Sequence, residues 1–302
     1  MRLPILILLS LVGIQVCSAQ PRIDNVLERM VPPGATSLVG ARMDLIRQTE
    51  IYRKMLAGRR LGQADTFTAE TGFDPRRDVK ELLYVSTAHG GVMLARGTFH
   101  LHGERMKGAK KTRYRGYEII GERTGGFCLL DATLAVAGDL RAIEAALDEW
   151  KSGTGTSAQA LIARLGGVNP SSQFWGVSSG AGNFLAEHPL GLSSGIDFSK
   201  IFRGLQDTWF QADFSAGLKA EVHGVTASEK DAANLRDAVR GMVGLGRLNV
   251  PENEPDLLPV WDGITVEQTG RSISMRADIA QGLIDKMVTM LAGVSGTYRR
   301  LL

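Results

Sequence analysis

The chain has 302 residues, 44% of them hydrophobic, and a formal net charge of +3. That length supports a sizeable core in one large domain or two medium ones, and so small a charge imbalance does not point to nucleic acid or a membrane surface as partner. Its two cysteines, Cys17 and Cys128, exclude a disulfide scaffold.

Residues 1–19 read as a signal peptide. Arg2 supplies a short positive region, Leu3 to Val16 is an apolar run, and Cys17-Ser18-Ala19 offers small residues for cleavage after Ala19. The run is shorter than the ~20 residues that span a bilayer. A lipoprotein would use Cys17 as its acylated residue, but Val16 is bulky for such a site. The expectation is an exported protein, periplasmic or extracellular, without a membrane span in its mature part. Cys128 then remains alone within Phe127–Leu130, an apolar run, and reads as a buried, inert thiol.

In chain order, Ile23–Met30 is a short helix ended before Pro32-Pro33, and Ser37–Ala41 a strand. Asp44 is a good N-cap for a helix to about Gly58, and 63–71 is a second helical piece. Phe73-Asp74-Pro75 is a turn. Leu82–Thr87 and Val92–Gly97 form a hairpin around His89-Gly90-Gly91, with Leu82 to Val85 apolar in succession, as in a strand covered on both faces. Phe99–Ala109 is a short helix. Strands follow at Tyr117–Glu122, Phe127–Leu130 and Thr133–Ala137, and Asp139 caps a helix from Leu140 to Lys151, with Ile143, Ala146, Leu147 and Trp150 at helical spacing. Ser152–Ser157 has linker composition.

A helix over Ala158–Leu165, a strand over Gln173–Val177, a short helix near Gly182–His188 and the Ile196-Asp197-Phe198 stretch repeat the order of the first half. Phe210 to His223 alternates apolar and polar residues without a break, which is a hairpin with one face buried and one wet, turning near Ser215–Leu218. Ser228 with Asp231 is a capping box for a helix whose inner face is Ala232, Leu235, Ala238, Val239 and Met242. After a Pro- and acid-containing loop, Ile264–Gln268 and Ser272–Ala277 pair around Thr269-Gly270, and Asp278 caps a last helix to about Ala292. The fold class is α+β: two related halves, 20–153 and 154–302, each an antiparallel sheet with helices mainly on one face.

No constellation converges on chemistry. His100 and His102 form an H-x-H pair near His89, but no HExxH, no CxxC and no fixed carboxylate accompanies them. Gly241-x-x-Gly244-x-Gly246 lies at a helix end and reads as helix termination rather than a phosphate loop, and no GxSxG elbow is present. Trp175, Trp209 and Trp261 fall at strands and read as core before they read as a ligand groove. Lys107, Lys110, Lys111, Arg113 and Arg115, interleaved with Tyr114 and Tyr117, form the one candidate patch. It is either a site for an anionic partner or a solvated connector whose charge keeps a sheet edge from aggregating. No catalytic, cofactor or metal residue can be assigned.

Two stretches carry a resemblance. One is Phe67-x-x-x-Thr71-Gly72-Phe73-Asp74-Pro75-x-x-Asp78-Val79 with Arg96-Gly97-x-Phe99. The other is Tyr114-x-Gly116-Tyr117-x-Ile119 with Leu130-Asp131 and Leu134-Ala135-Val136-Ala137-Gly138. Here the chain resembles secreted bacterial proteins grouped under domains of unknown function and built from repeated α+β units. The resemblance implies export and carries over no catalytic residue. The expected function is a non-enzymatic binding or scaffold protein of the cell envelope, its partner an envelope protein or an anionic polymer. The alternatives are an extracytoplasmic hydrolase with loop-borne residues and a carrier of a small apolar ligand.

Overall fold

The computed structural model describes residues 23–55, 65, 68–69, 74–100, 110–122, 125–153, 158–179 and 204–287. The signal segment, most of the helical piece at 63–71, residues 101–109 with Lys107 and His102, the short helix near 182–188 and Ile196–Phe198 lie outside the described residues.

Helix α1 (Asn25–Glu28) opens under Asp24, whose Oδ1 accepts from the Val26 and Leu27 amides. Strand β1 (Ser37–Arg42) leads into α2 (Met43–Ile46) and α3 (Glu50–Met55). The single helix expected from Asp44 is therefore two short ones, and Arg42 rather than Asp44 holds the cap position. Thr49 makes the break: its Oγ1 donates to the Ile46 carbonyl and accepts from the Tyr52 amide. Such local bonding competes with helix continuation.

Helix α4 (Pro75–Asp78) starts on a proline under the Asp74 cap. The expected hairpin is β2 (Val79–Thr87) and β3 (Gly90–Gly97). A meander follows: β4 (Lys111–Tyr114), β5 (Tyr117–Glu122), β6 (Gly125–Asp131) and β7 (Leu134–Gly138). The expected connector at 111–114 is thus a strand. Helix α5 (Leu140–Ser152) begins after Asp139, which makes no capping bond. Its Oδ2 instead accepts from the Gly91 amide of β3 at 2.8 Å, tying the helix start to the sheet.

Helix α6 (Gln159–Ala163) runs into a 3-10 turn at Arg164–Gly167, and then come β8 (Phe174–Ser179), β9 (Leu205–Asp213) and β10 (Gly217–Thr226). Helix α7 (Glu229–Leu248) starts on the expected box, Ser228 Oγ accepting from the Asp231 amide. Gly241, Gly244 and Gly246 lie inside its last turns and do not end it, and Ala238 faces solvent rather than the core. Helix α8 (Leu258–Asp262), β11 (Ile264–Thr269), β12 (Ser272–Ala280) and the helical residues 281–287 (α9) complete the described chain. Asp278 belongs to β12 and caps nothing.

The twelve strands of the described residues form one sheet in the order β11-β12-β10-β9-β8-β1-β2-β3-β7-β6-β5-β4. Every pairing is antiparallel, and β1 and β8 hydrogen-bond directly at its centre. The two sheets expected from sequence are therefore one.

Helices cover both of its faces, not mainly one, because successive side chains of a strand point opposite ways and both sets are apolar near the centre. Leu38 joins the main core with Leu83, Leu94, Val136 and Trp175 and with Leu27, Ile143, Leu147 and Leu161 from α1, α5 and α6. Val39, one residue on, packs with Phe210, Leu235, Val239 and Ile273 beneath α7. The Leu82–Val85 run is covered on both faces as expected. On the α5 side, the sheet turns polar beyond β8. Trp209, His223, Ser274 and Glu267 form one cross-strand row, and Gln211, Glu221 and Arg276 the next. Antiparallel sheets tolerate one wet face. Gln211 Nε2 and Arg276 Nε both donate to the Glu221 carboxylate, each at 3.1 Å.

Candidate functional site

The basic stretch lies on β4, at one edge of the sheet, and the strand divides it. Tyr114 pairs with Tyr117 of β5, and both pack toward the main core under α5. Lys111 and Arg113 point to the opposite face, where Lys111 Nζ meets Glu118 Oε1 at 2.8 Å. Arg115 sits in the two-residue turn to β5 with φ 51°, next to Gly116 at φ 87°. A turn with two left-handed positions fits the twist of a hairpin. From there Arg115 Nε reaches Asp148 Oδ1 of α5 at 2.6 Å, and Tyr114 Oη donates to Asp148 Oδ2 at 3.0 Å. The bonds to Asp148 raise the pKa of both Arg115 and Tyr114. Lys110 and Arg113 have no carboxylate partner among the described residues. The patch is thus not one surface. Among the described residues it is an edge where Lys111 is paired, Arg115 is turned to Asp148 of α5, and Lys110 and Arg113 have no carboxylate partner.

Tertiary structure assembles a different cation set there. Trp150 Nε1 donates to Tyr117 Oη at 3.0 Å, fixing both rings. Arg29 of the turn after α1 lies 5.2 Å from the centre of the Trp150 ring, Lys151 Nζ lies 4.7 Å from that of Tyr117, and Arg115 lies 5.9 Å from that of Tyr114. Neither Arg29 nor Lys151 has a carboxylate partner among the described residues. Asp148 is committed to Arg115 and Tyr114, and Glu149 Oε2 is buried without a hydrogen-bond partner among the described residues. Sequence reading isolates Arg115, Tyr114 and Tyr117 and misses Arg29, Trp150 and Lys151, which arrive from α1 and α5. The only linear signal for them is the end of α5, where Lys151 follows a tryptophan at the edge of the apolar stripe.

His89 and His100 do not converge. His89 is exposed in the β2–β3 turn, while His100 is exposed beyond the far end of β3. Among the described residues no three His, Cys, Asp or Glu side chains lie together as a metal would need. His223 stacks on Trp209, with centroids 5.4 Å apart and rings 17° from parallel. Its cross-strand partner Ser274 has a buried hydroxyl without a hydrogen-bond partner, so no serine–histidine bond is formed.

Trp175 is core, 2% exposed, and Trp209 and Trp261 press on Gly167 and Gly246. Cys128 is fully buried, and burial pushes its thiol up to about 11. No helix among the described residues is long and apolar enough to cross a membrane.

No protein-family model matches the chain, and no curated protein matches it. Among solved structures it is similar to crystal form III of TP0453, with a TM-score of 0.47 and 8% identity over 88% of this chain and 98% of that one. Crystal form IV of TP0453 gives 0.47 and 9% over 86% and 95%, and crystal form I gives 0.43 and 9% over 88% and 96%.

Proposed function

We propose that this is an exported, non-enzymatic binding or scaffold protein of the cell envelope, and that Arg29 and Lys151 hold an anionic polymer against the Trp150–Tyr117 pair. One observation carries this reading: Arg29 and Lys151 are each ordered over an aromatic ring with no carboxylate partner among the described residues. Cations already positioned lose little freedom when an anion arrives, and the rings are locked by the indole–phenol hydrogen bond. Lys110 and Arg113 extend the positive field along the sheet edge.

The proposal includes two related halves, 20–153 and 154–302, of one body. Support comes from the strand order on either side of the seam. Outward from β1 run β2, β3, β7 and β6, and outward from β8 run β9, β10, β12 and β11, with β4 and β5 as an addition to the first half.

The test is retention of residues 20–302 on immobilised heparin. Arg29→Ala with Lys151→Ala is expected to elute at clearly lower salt, because each phosphate- or sulfate-type contact contributes to the salt slope. Identical elution of the double variant sinks the reading. Export is tested separately: amino-terminal sequencing of the protein from the extracytoplasmic fraction should begin at Gln20.

A further inference from the structure

Strand β11 is the other edge of the sheet, and two hydrogen bonds show which way its backbone points. The Asp278 amide donates to the Gly263 carbonyl at 3.0 Å, so Gly263 and, by alternation, Thr265 and Glu267 bond to β12. The Val266 carbonyl points outward, where it accepts from Arg240 Nη2 of α7 at 3.3 Å. In an antiparallel ladder this leaves Ile264, Val266 and Gln268 presenting N–H and C=O groups along the edge.

A cavity of about 380 Å³ lies beside that row, lined by Arg240, Val243, Ile264, Thr265, Val266 and Glu267. Its lining carries one charge of each sign, Arg240 and Glu267. Arg240 has no carboxylate partner among the described residues, and its guanidinium is spent on the Val266 carbonyl. One turn back, Arg236 is shared between Asp237 and the Gln268 side-chain oxygen. Glu267 is held on the polar face by Arg276. Among the described residues the groove therefore combines a strand edge without a neighbouring strand and an arginine that is bonded to a backbone carbonyl and has no carboxylate partner.

We infer that the β11 edge receives an extended acidic segment of another protein, which adds to the sheet as one further strand. Main-chain hydrogen bonds to Ile264, Val266 and Gln268 give the affinity, and Arg240 leaves the Val266 carbonyl for a carboxylate of the incoming strand. When the groove is empty the same arginine satisfies the open carbonyl and guards the edge. A second copy fits less well, because two-fold pairing of β11 with itself brings one Arg240 row against another. This inference goes beyond the anionic surface at Trp150 and does not depend on it.

The experiment uses residues 20–302 and a fluorescein-labelled peptide of about eight residues alternating threonine and glutamate, a strand's usual length. Saturable binding by anisotropy is expected, with slowed amide exchange at Ile264, Val266 and Gln268. Arg240→Ala should weaken it about tenfold, the loss of a charge-assisted hydrogen bond. Arg29→Ala with Lys151→Ala should leave it unchanged, as should Arg113→Ala at the other edge.

The matched threonine–lysine peptide should not bind, which tests the charge on the unaltered protein even if Arg240→Ala fails to fold. Absence of binding, equal binding of the two peptides, or exchange protection away from β11 overturns the inference. So does concentration-dependent dimerisation of the peptide-free protein that protects the same three amides.

Discussion

Gly40 of β1 and Trp175 of β8 are partners across the central seam, and the indole lies over the place where a side chain on Gly40 would stand. Trp175 is part of the main core. A methyl group at Gly40 falls inside contact distance of the indole, so Gly40→Ala must push the ring out of the junction between the two wings of the sheet. Overpacking a filled core costs ~1–3 kcal/mol. Thermal unfolding of residues 20–302 should show Tm lowered by roughly 2–10 °C. An unchanged Tm together with unchanged tryptophan fluorescence would mean that the ring relaxes freely.

Ser37 and Ser86 stand opposite each other on β1 and β2, 0% and 8% exposed, and neither hydroxyl has a hydrogen-bond partner among the described residues. A buried hydroxyl left unpaired costs about 1–3 kcal/mol. Ser37→Ala, which removes it with little change of volume, is expected to raise Tm by a few degrees. A lower Tm would show that the hydroxyl does bond, through a bound water.

Glu81 accepts the Asp24 amide at 3.0 Å and so helps to hold the start of α1, yet its carboxyl is half-buried. Burial raises its pKa, and the nearby Asp24 and Asp44 carboxylates add to this, while the bond from the Asp24 amide and the charge of Arg42 oppose it. A carboxyl whose pKa is higher in the folded chain favours folding most below the ordinary glutamate range. That contribution is lost as pH rises through the elevated value. Glu81→Gln keeps an acceptor for the Asp24 amide without the charge. Its Tm should match the parent's in acid and exceed it near neutrality. A variant less stable than the parent at neutral pH would contradict this.

Cys128 reacts as a thiolate, and burial holds its thiol near 11. Ellman's reagent at neutral pH should leave the folded protein essentially unmodified and titrate one thiol per mature chain in denaturant. Fast labelling of the folded protein would show that the core at β6 opens readily.

Where local pattern and burial agree, the sequence reports the fold. The alternation through Phe210–His223 is the β9–β10 hairpin, and the spacing of Ile143, Ala146 and Leu147 is the inner face of α5. It fails where a side chain bonds to something distant. Asp139 looks like a cap and instead takes the Gly91 amide, and Thr49 splits a helix that periodicity runs together. Strand β4 hides because its cations read as a connector, while Thr112 and Tyr114 alone carry its alternation. Of the candidate surface, only the residues on one hairpin are visible in linear order. Arg29 and Lys151 become neighbours of Tyr117 and Trp150 only after α1 and α5 settle on the same face of the sheet.

The β1–β8 seam also orders events in time. Strand β1 finds one neighbour, β2, just after the short helices α2 to α4, but its other neighbour lies ~140 residues further along the chain, a separation that slows closure. A chain emerging from its amino end therefore carries β1 as a bare inner edge, with Leu38 and Val39 half-clad, until β8 is available. Truncation anywhere before Phe174 should leave a body that pairs with itself through that edge, so β1 is safe only once β8 has been made.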